Sequence, residues 1–350
     1  MSAAELLPAT ALEPRGLADL VERSRGYSVE FDPWMANHLP MGLVILDRLG
    51  ADQSRLESWF ETYASVSRLK PVPAGAGRID ASNWDRHLGE RALEADYRTF
   101  FTGEARRLGG AEAQRRYLPT LVPGIAASAL HALMRLAYGN LTADPAEIGT
   151  ALGYWACTFL PLRSADAAAA QTDDPASLLL ALRQAPDLCR LEPETDLLWH
   201  WMRTVAAAPA FPDVAALLVP TPDLLARVAR TSLALMAGTM SFEALHAVTS
   251  AHWIRLVRPC WPDETLAVRY LWQAVAALYP KIGMPELPTP DQLAGLRELP
   301  CPDWPEIRSR AIASDDEHDL SFTFSAMEEQ RQYGDRLYQV LASRRLGLIG

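Results

Sequence analysis

Seven histidines are the residues of this 350-residue chain best suited to do chemistry. Two of them, His246 and His252, stand six residues apart in the apolar run FEALHAVTSAHWIRLVRP. An imidazole can ligate a transition metal, move a proton near neutral pH, or sit in a core with its N–H given to a carbonyl. At about 100° per helical residue, a spacing of six turns two rings roughly 120° apart. Two ligands on one regular helix stand at i,i+3 or i,i+4. Either one ring faces a site and the other packs beside it, or the helix is distorted. Two core histidines remain the plainer reading of this segment taken alone. Glu243, three residues before His246, is placed to accept from that ring's second nitrogen.

The remaining histidines fall into two groups. His38, in FDPWMANHLPMGLVIL, follows Asn37 and precedes Pro40 at a helix start. His131 is read as mid-helix, with Arg135 one turn further on. His318, in SDDEHDLSFTFSAMEE, has acids on both sides and an apolar helix after it. His87 and His200 lie in ordinary amphipathic surroundings. His38, His131, His246, His252 and His318 therefore come from apolar helices that can meet in a bundle core, where metal sites are built from facing helices. Nitrogen-rich ligation suits Fe, Cu, Ni or Zn. Scattered core histidines are the competing reading.

The elements that must position these residues are helical. MGLVILDRLGA and SRLESWFETYASVSRL predict two helices meeting near Gly50, the second capped by Asp52 or Ser54. ASALHALMRLAYGN predicts a helix stopped by Gly139-Asn140, and PAEIGTALGYWACTFLPL one that opens on Pro145 and ends before Pro161. DLLARVARTSLALMAGTM and DETLAVRYLWQAVAALY add two more. Period-2 alternation is scarce. The expectation is an all-α fold, a single large helical domain over residues 1–350 with a multi-helix core enclosing a His-rich pocket. A flexible N-terminus to about residue 25 and an exposed loop over 163–177 complete it.

Composition narrows the function classes. The net charge of −10 and pI near 5.3 argue against nucleic acid and anionic membranes as partners. No apolar run is long and uncharged enough to span a bilayer, and MSAAELLPATALEPRG is no signal peptide, so a cytoplasmic protein is expected. Cys157, Cys189, Cys260 and Cys301 are too widely spaced for a zinc knuckle. AGAGR near Gly75 lacks the third glycine of a dinucleotide loop, and no GxxxxGK[ST], GxSxG or HExxH is present.

Six segments, in order, carry a resemblance: ANHLPMGLVILDRLGA, NWDRHLGERALEADYRTFF, LHALMRLAYGN, ALGYWACTFLPL, LHAVTSAHWIRLV and DDEHDLSFTFSAMEE. Through them the chain resembles the questin oxidase-like family. The resemblance implies an α-helical oxygenase that opens rings of polycyclic aromatic polyketides, anthraquinones among them, by oxidative cleavage or Baeyer–Villiger-type oxygen insertion. It implies a histidine-rich non-haem iron site with O2 as co-substrate. NADPH is invoked for some members, although this chain has no motif to bind it. Carried over residue by residue, the ligand candidates are His38, His131, His246 or His252, and His318, with His318, His246 and Arg135 in catalysis. Trp34, Tyr138, Trp155 and Trp253 are expected to stack on a flat small-molecule substrate, and Arg135 and Arg255 to meet a phenolate or enolate oxygen. Ser321 is the departure: the family position three after the last histidine is usually lysine. The alternatives are a metal-free enzyme using His318 or His246 as general base, and a non-catalytic binding subunit. An oligomer is left open.

Overall fold

The computed structural model describes residues 16–162 and 170–350. Among them seventeen α-helices and a two-stranded ribbon build one all-α domain. The first seven helices are α1 (Leu17–Ser24), α2 (Leu39–Leu49), α3 (Gln53–Val66), α4 (Glu94–Leu108), α5 (Gly110–Leu121), α6 (His131–Thr142) and α7 (Pro145–Cys157). Next come α8 (Pro175–Leu182), α9 (Leu198–Ala207), α10 (Val214–Leu217), α11 (Leu224–Thr239), α12 (Phe242–Val257) and α13 (Glu264–Leu278). The last four are α14 (Pro290–Arg297), α15 (Trp304–Ile312), α16 (Glu317–Tyr333) and α17 (Leu337–Arg345). No helix among the described residues is long and apolar enough to cross a membrane.

Local signals set many boundaries. Asp52 accepts from Arg55 N–H at the start of α3, and Asp144 from Ala146 N–H at the start of α7 with Pro145 behind it. Gly50 ends α2 in the left-handed region at φ 93°. Residues 1–15 and 163–169, which hold most of the expected flexible N-terminus and part of the expected loop, lie outside the described residues. The N-terminal expectation does not hold for residues 17–24, because α1 buries Leu17, Leu20 and Val21. The loop expectation fails at its end, where Asp174 caps α8 from Pro175 onward.

Helix α6 departs from expectation at both ends. It does not stop at Gly139-Asn140 but runs on to Thr142. Gly139 faces α7, where a Cβ would make ordinary contact with Glu147 Cγ at 3.5 Å and Ile148 N at 3.6 Å. The helix also begins at His131, not before it. Ser128, Ala129 and Leu130 hold φ of 45°, 55° and 73°, three successive left-handed residues without a glycine. Such residues cost roughly 1–2 kcal/mol each. The surrounding core holds them there, with Leu130 fully buried.

Four helices set up the interior cavity. Helix α2 packs on α6, α6 on α12, α12 on α16, and α16 back on α2, closing a ring of helix pairs. Helix α12 is buried almost all round, as its apolar sequence allows, and lies in the middle of the bundle. Residues Glu30–Phe31 (β1) and Met35–Ala36 (β2) pair antiparallel just before α2 and form one lip of the cavity. Strands this short leave no alternation to detect.

Candidate metal centre

His38 caps the N-terminus of α2, His131 is the first residue of α6, His246 the fifth of α12 and His318 the second of α16. Helices that start at one place thus deliver four imidazoles to it. Ring centres are 4.7 Å apart for His38–His131, 5.5 Å for His131–His246, 5.7 Å for His246–His318 and 5.5 Å for His318–His38. The four rings close a circle, as their helices do.

Each ring is held from outside through Nδ1. His38 Nδ1 donates to Ala36 O at 3.0 Å, His131 Nδ1 to Ser128 O, His246 Nδ1 to Phe242 O at 2.8 Å and His318 Nδ1 to Asp316 Oδ1 at 3.0 Å. The left-handed turn before α6 is what presents Ser128 O to His131. An imidazole that donates from Nδ1 keeps its Nε2 lone pair for a metal. No hydrogen-bond partner reaches these four Nε2 atoms among the described residues.

Burial favours the neutral form of three of the four rings. Loss of hydration pushes His38 and His246 well below the ordinary histidine value, and mutual repulsion with the neighbouring rings adds to it. His131 falls to about 4, again chiefly through burial. Asp316, which accepts from His318, is held down at about 2. Neutral imidazoles are the protonation state that a metal requires.

The donor set therefore fits a transition ion. An imidazole nitrogen stands about 2.1 Å from such an ion, so two ligand rings at roughly 90–120° have centres about 4.6–5.6 Å apart. The observed centre spacings are close to that. The ligand atoms themselves are more dispersed. Among the described residues, His38, Glu317 and His318 form the one group of three whose ligand atoms all lie within 4.8 Å of one another. The atoms bear more directly on ligation than the ring centres, so the rings bracket a shared space without yet converging on one point.

A cavity of about 390 Å³ opens onto this circle and is lined by His38, His131, His318 and Phe242 at its inner end. Its walls are Trp34 and Trp199, edge to face at 6.3 Å. Lys281 lines it as well and pairs with Asp196 at 2.8 Å and Glu243 at 3.2 Å. Trp34, Met35 and Phe242 are among the few large apolar residues exposed to solvent, and all three line this cavity.

The structure separates the expected site residues. His38, His131, His246 and His318 are brought together, and Trp34 lines the cavity. His252 is not: its Nδ1 meets Ser325 Oγ at 2.9 Å and its ring packs on Phe324, so the six-residue spacing turns it away from His246 on an undistorted helix. Glu243 does not serve His246, because it is drawn to Lys281 instead. Arg135 is no cavity residue; it is fully buried against Glu147 at 2.7 Å and joins α6 to α7. Arg255 is likewise tied to Glu329 at 2.8 Å. Tyr138 and Trp253 bond each other at 3.2 Å, and Trp155 donates to Gly124 O, all inside the core. Ser321 is buried and does not line the cavity. His87 pairs with Glu90 on the surface, and His200 stacks behind Trp199.

Glu317, Phe242, Trp199 and Lys281 were not singled out by sequence reasoning. Phe242 stands four residues before His246, the spacing of one helical face, and its ring lies 4.6 Å from both His246 and His318. Lys281 is one of only two lysines in a chain with 33 basic residues, a rarity that could have marked it.

A family profile described as questin oxidase-like matches residues 35–323, a span that includes the four ring histidines and Glu317. No curated protein matches the chain.

Proposed function

Since the chain belongs to the questin oxidase-like family, we propose that it is an oxygenase using non-haem iron on a planar, polyketide-like aromatic molecule. The family implies an oxygenase acting on polyketide-type substrates. The observation that supports the metal-dependent form is the circle of four Nδ1-anchored imidazoles, three of which line an apolar cavity. His38, His131, His246 and His318 would hold the ion. When bound, it supplies the capacity to bind and activate O2.

The chain's own residues do the rest. Trp34 and Trp199 offer aromatic walls to a flat ring system, and the cavity volume lies within the roughly 300–1,000 Å³ usual for small-molecule sites. Phe242, itself exposed at its outer face, packs its ring on His246 and His318. The N-terminal ends of α2, α6 and α16 add a positive field, which favours a phenolate or enolate over the neutral phenol. Oxidative ring cleavage starts from such an electron-rich substrate, whereas Baeyer–Villiger-type insertion needs a carbonyl carbon open to nucleophilic attack.

A metal-free reading draws on one pair: Asp316 orients His318 at 3.0 Å, as a carboxylate orients a general base. Anaerobic loading with Fe(II) and elemental analysis decide between the two. The proposed reading expects close to one iron per chain, with oxygen uptake on a panel of hydroxyanthraquinones tested with and without NADPH. Folded protein carrying only trace metal and still converting substrate would establish the metal-free enzyme.

A further inference from the structure

Glu317 is a carboxylate without a cation. Its side chain is 23% exposed, yet no arginine or lysine pairs with it among the described residues. Its neighbour Asp316 is engaged by Arg345 at 2.7 Å and Asp319 by the same arginine at 2.7 Å. Asp315 reaches Arg55 at 3.0 Å. Within this run of four acids, Asp316 accepts from His318 Nδ1 at 3.0 Å while paired with Arg345, and Glu317 faces the imidazoles with no other basic side chain beside it among the described residues. Its Oε1 lies 3.7 Å from His38 Nδ1 and 3.9 Å from His318 Nδ1.

Electrostatics gives this placement a purpose. The ends of three helices make the site positive before any ion arrives, and imidazole ligands bring no negative charge of their own. A divalent cation there needs a nearby anion. Carboxylates behind metal-bound histidines raise ligand basicity and fix ring orientation, and their loss typically weakens metal binding 10–100-fold.

We propose that Glu317 supplies a negative charge beside His38 and His318, near their Nδ1 edges but beyond hydrogen-bond reach, and that this charge makes the four-histidine site favourable for a divalent metal. This inference rests on the metal-dependent reading above and adds a residue from outside the imidazole set. Glu317 also brings a carboxylate of α16 beside His38 at the start of α2.

The test uses the full chain and Co(II) as probe. Wild type, Glu317→Gln, Glu317→Asp and Asp315→Asn are stripped of metal and titrated anaerobically with Co(II) against a competing chelator. Visible absorption reports the ligand field. Glu317→Gln keeps the side chain's shape and is expected to bind Co(II) 10–100-fold more weakly, with a shifted Co(II) spectrum and an unchanged metal-free melting temperature. Glu317→Asp keeps the charge on a shorter arm and should recover part of the loss. Asp315→Asn removes the same charge from a position two residues away and should match wild type. Equal affinity and spectra for Glu317→Gln and wild type overturn the proposal, as does an equal loss in Asp315→Asn, which would make net charge the cause. Should Glu317→Gln not fold, Glu317→Asp decides: wild-type affinity and spectrum there count against the proposal, and a partial loss supports it. Wild type that takes up no Co(II) removes the metal-dependent reading together with this one, whereas binding that is indifferent to Glu317 removes only this one.

Discussion

Replacing His246 and His252 one at a time by alanine separates the two roles that one helix combines. His246 is one of four nitrogen donors facing a common space, and His252 packs against Ser325 and Phe324. If four donors share the roughly 10–16 kcal/mol typical of a four-ligand zinc site, each is worth about 3 kcal/mol, or roughly two orders of magnitude in affinity. His246→Ala should lose that much. His252→Ala leaves the donors intact and instead gives up one hydrogen bond, about 1 kcal/mol, and opens a small cavity, about 1–2 kcal/mol. Part of this is offset, because His252 Nε2 is buried without a partner and its removal relieves a desolvated nitrogen. The net expectation for His252→Ala is a melting temperature lower by a few degrees, with metal affinity unchanged. Chelator-competition titration and thermal melts of the metal-free proteins read both quantities. Equal metal loss from the two variants, each folded, would refute the assignment of the two rings to opposite sides of α12.

Three further outcomes are expected. Glu147→Gln strands the guanidinium of Arg135 in the core and should cost about 3–5 kcal/mol in chemical denaturation, while metal affinity of the folded protein stays at the wild-type value; a mild effect would mean that Arg135 has another anion. Gly149→Ala places a methyl 2.5 Å from Thr102 Cα and 2.6 Å from Phe101 O, so α4 and α7 must part and stability should fall by about 1–3 kcal/mol; an unchanged denaturation midpoint would contradict the close approach of the two helices. In metal-free protein, His38, His131, His246 and His252 are held neutral by burial, whereas in the unfolded chain they protonate near 6.5. The unfolded state thus binds more protons below that pH. Stability should be full above about 6.5 and fall as the pH drops towards the folded values, with His131, at about 4, accounting for about 3 kcal/mol. A denaturation midpoint that is flat from pH 7 to 5 would show that these rings are already charged in the fold.

Local chemistry explains which features were legible. The Asp52 cap, the Gly50 stop and the Pro145 start depend on a few neighbouring residues, and the structure has all three. The convergence of His38, His131, His246 and His318 followed from the resemblance. The choice between His246 and His252 did not, because it depends on which side of α12 meets His131 of α6. Arginines in apolar helices suggested a site, yet Arg135 and Arg255 are there for Glu147 and Glu329, partners 12 and 74 residues away. The left-handed turn at 128–130 was hidden because Ser, Ala and Leu carry no signal for positive φ; only the packing around them enforces it. Gly139-Asn140 misled because the glycine keeps helical backbone there and the helix runs on to Thr142.

The circle of helices also constrains how the chain can assemble. Its members enter at residues 38, 131, 246 and 318, so the last imidazole arrives 280 positions after the first. Contacts of such sequence separation form late, after the entropy of closing the long intervening loops has been met. A nascent chain released short of α16 has three donors and no place for an ion. An ion bound by the complete set would stabilise only the finished fold, by an amount that grows with the logarithm of its concentration over its dissociation constant. Metal supply would then govern how long the protein persists as well as whether it turns over substrate.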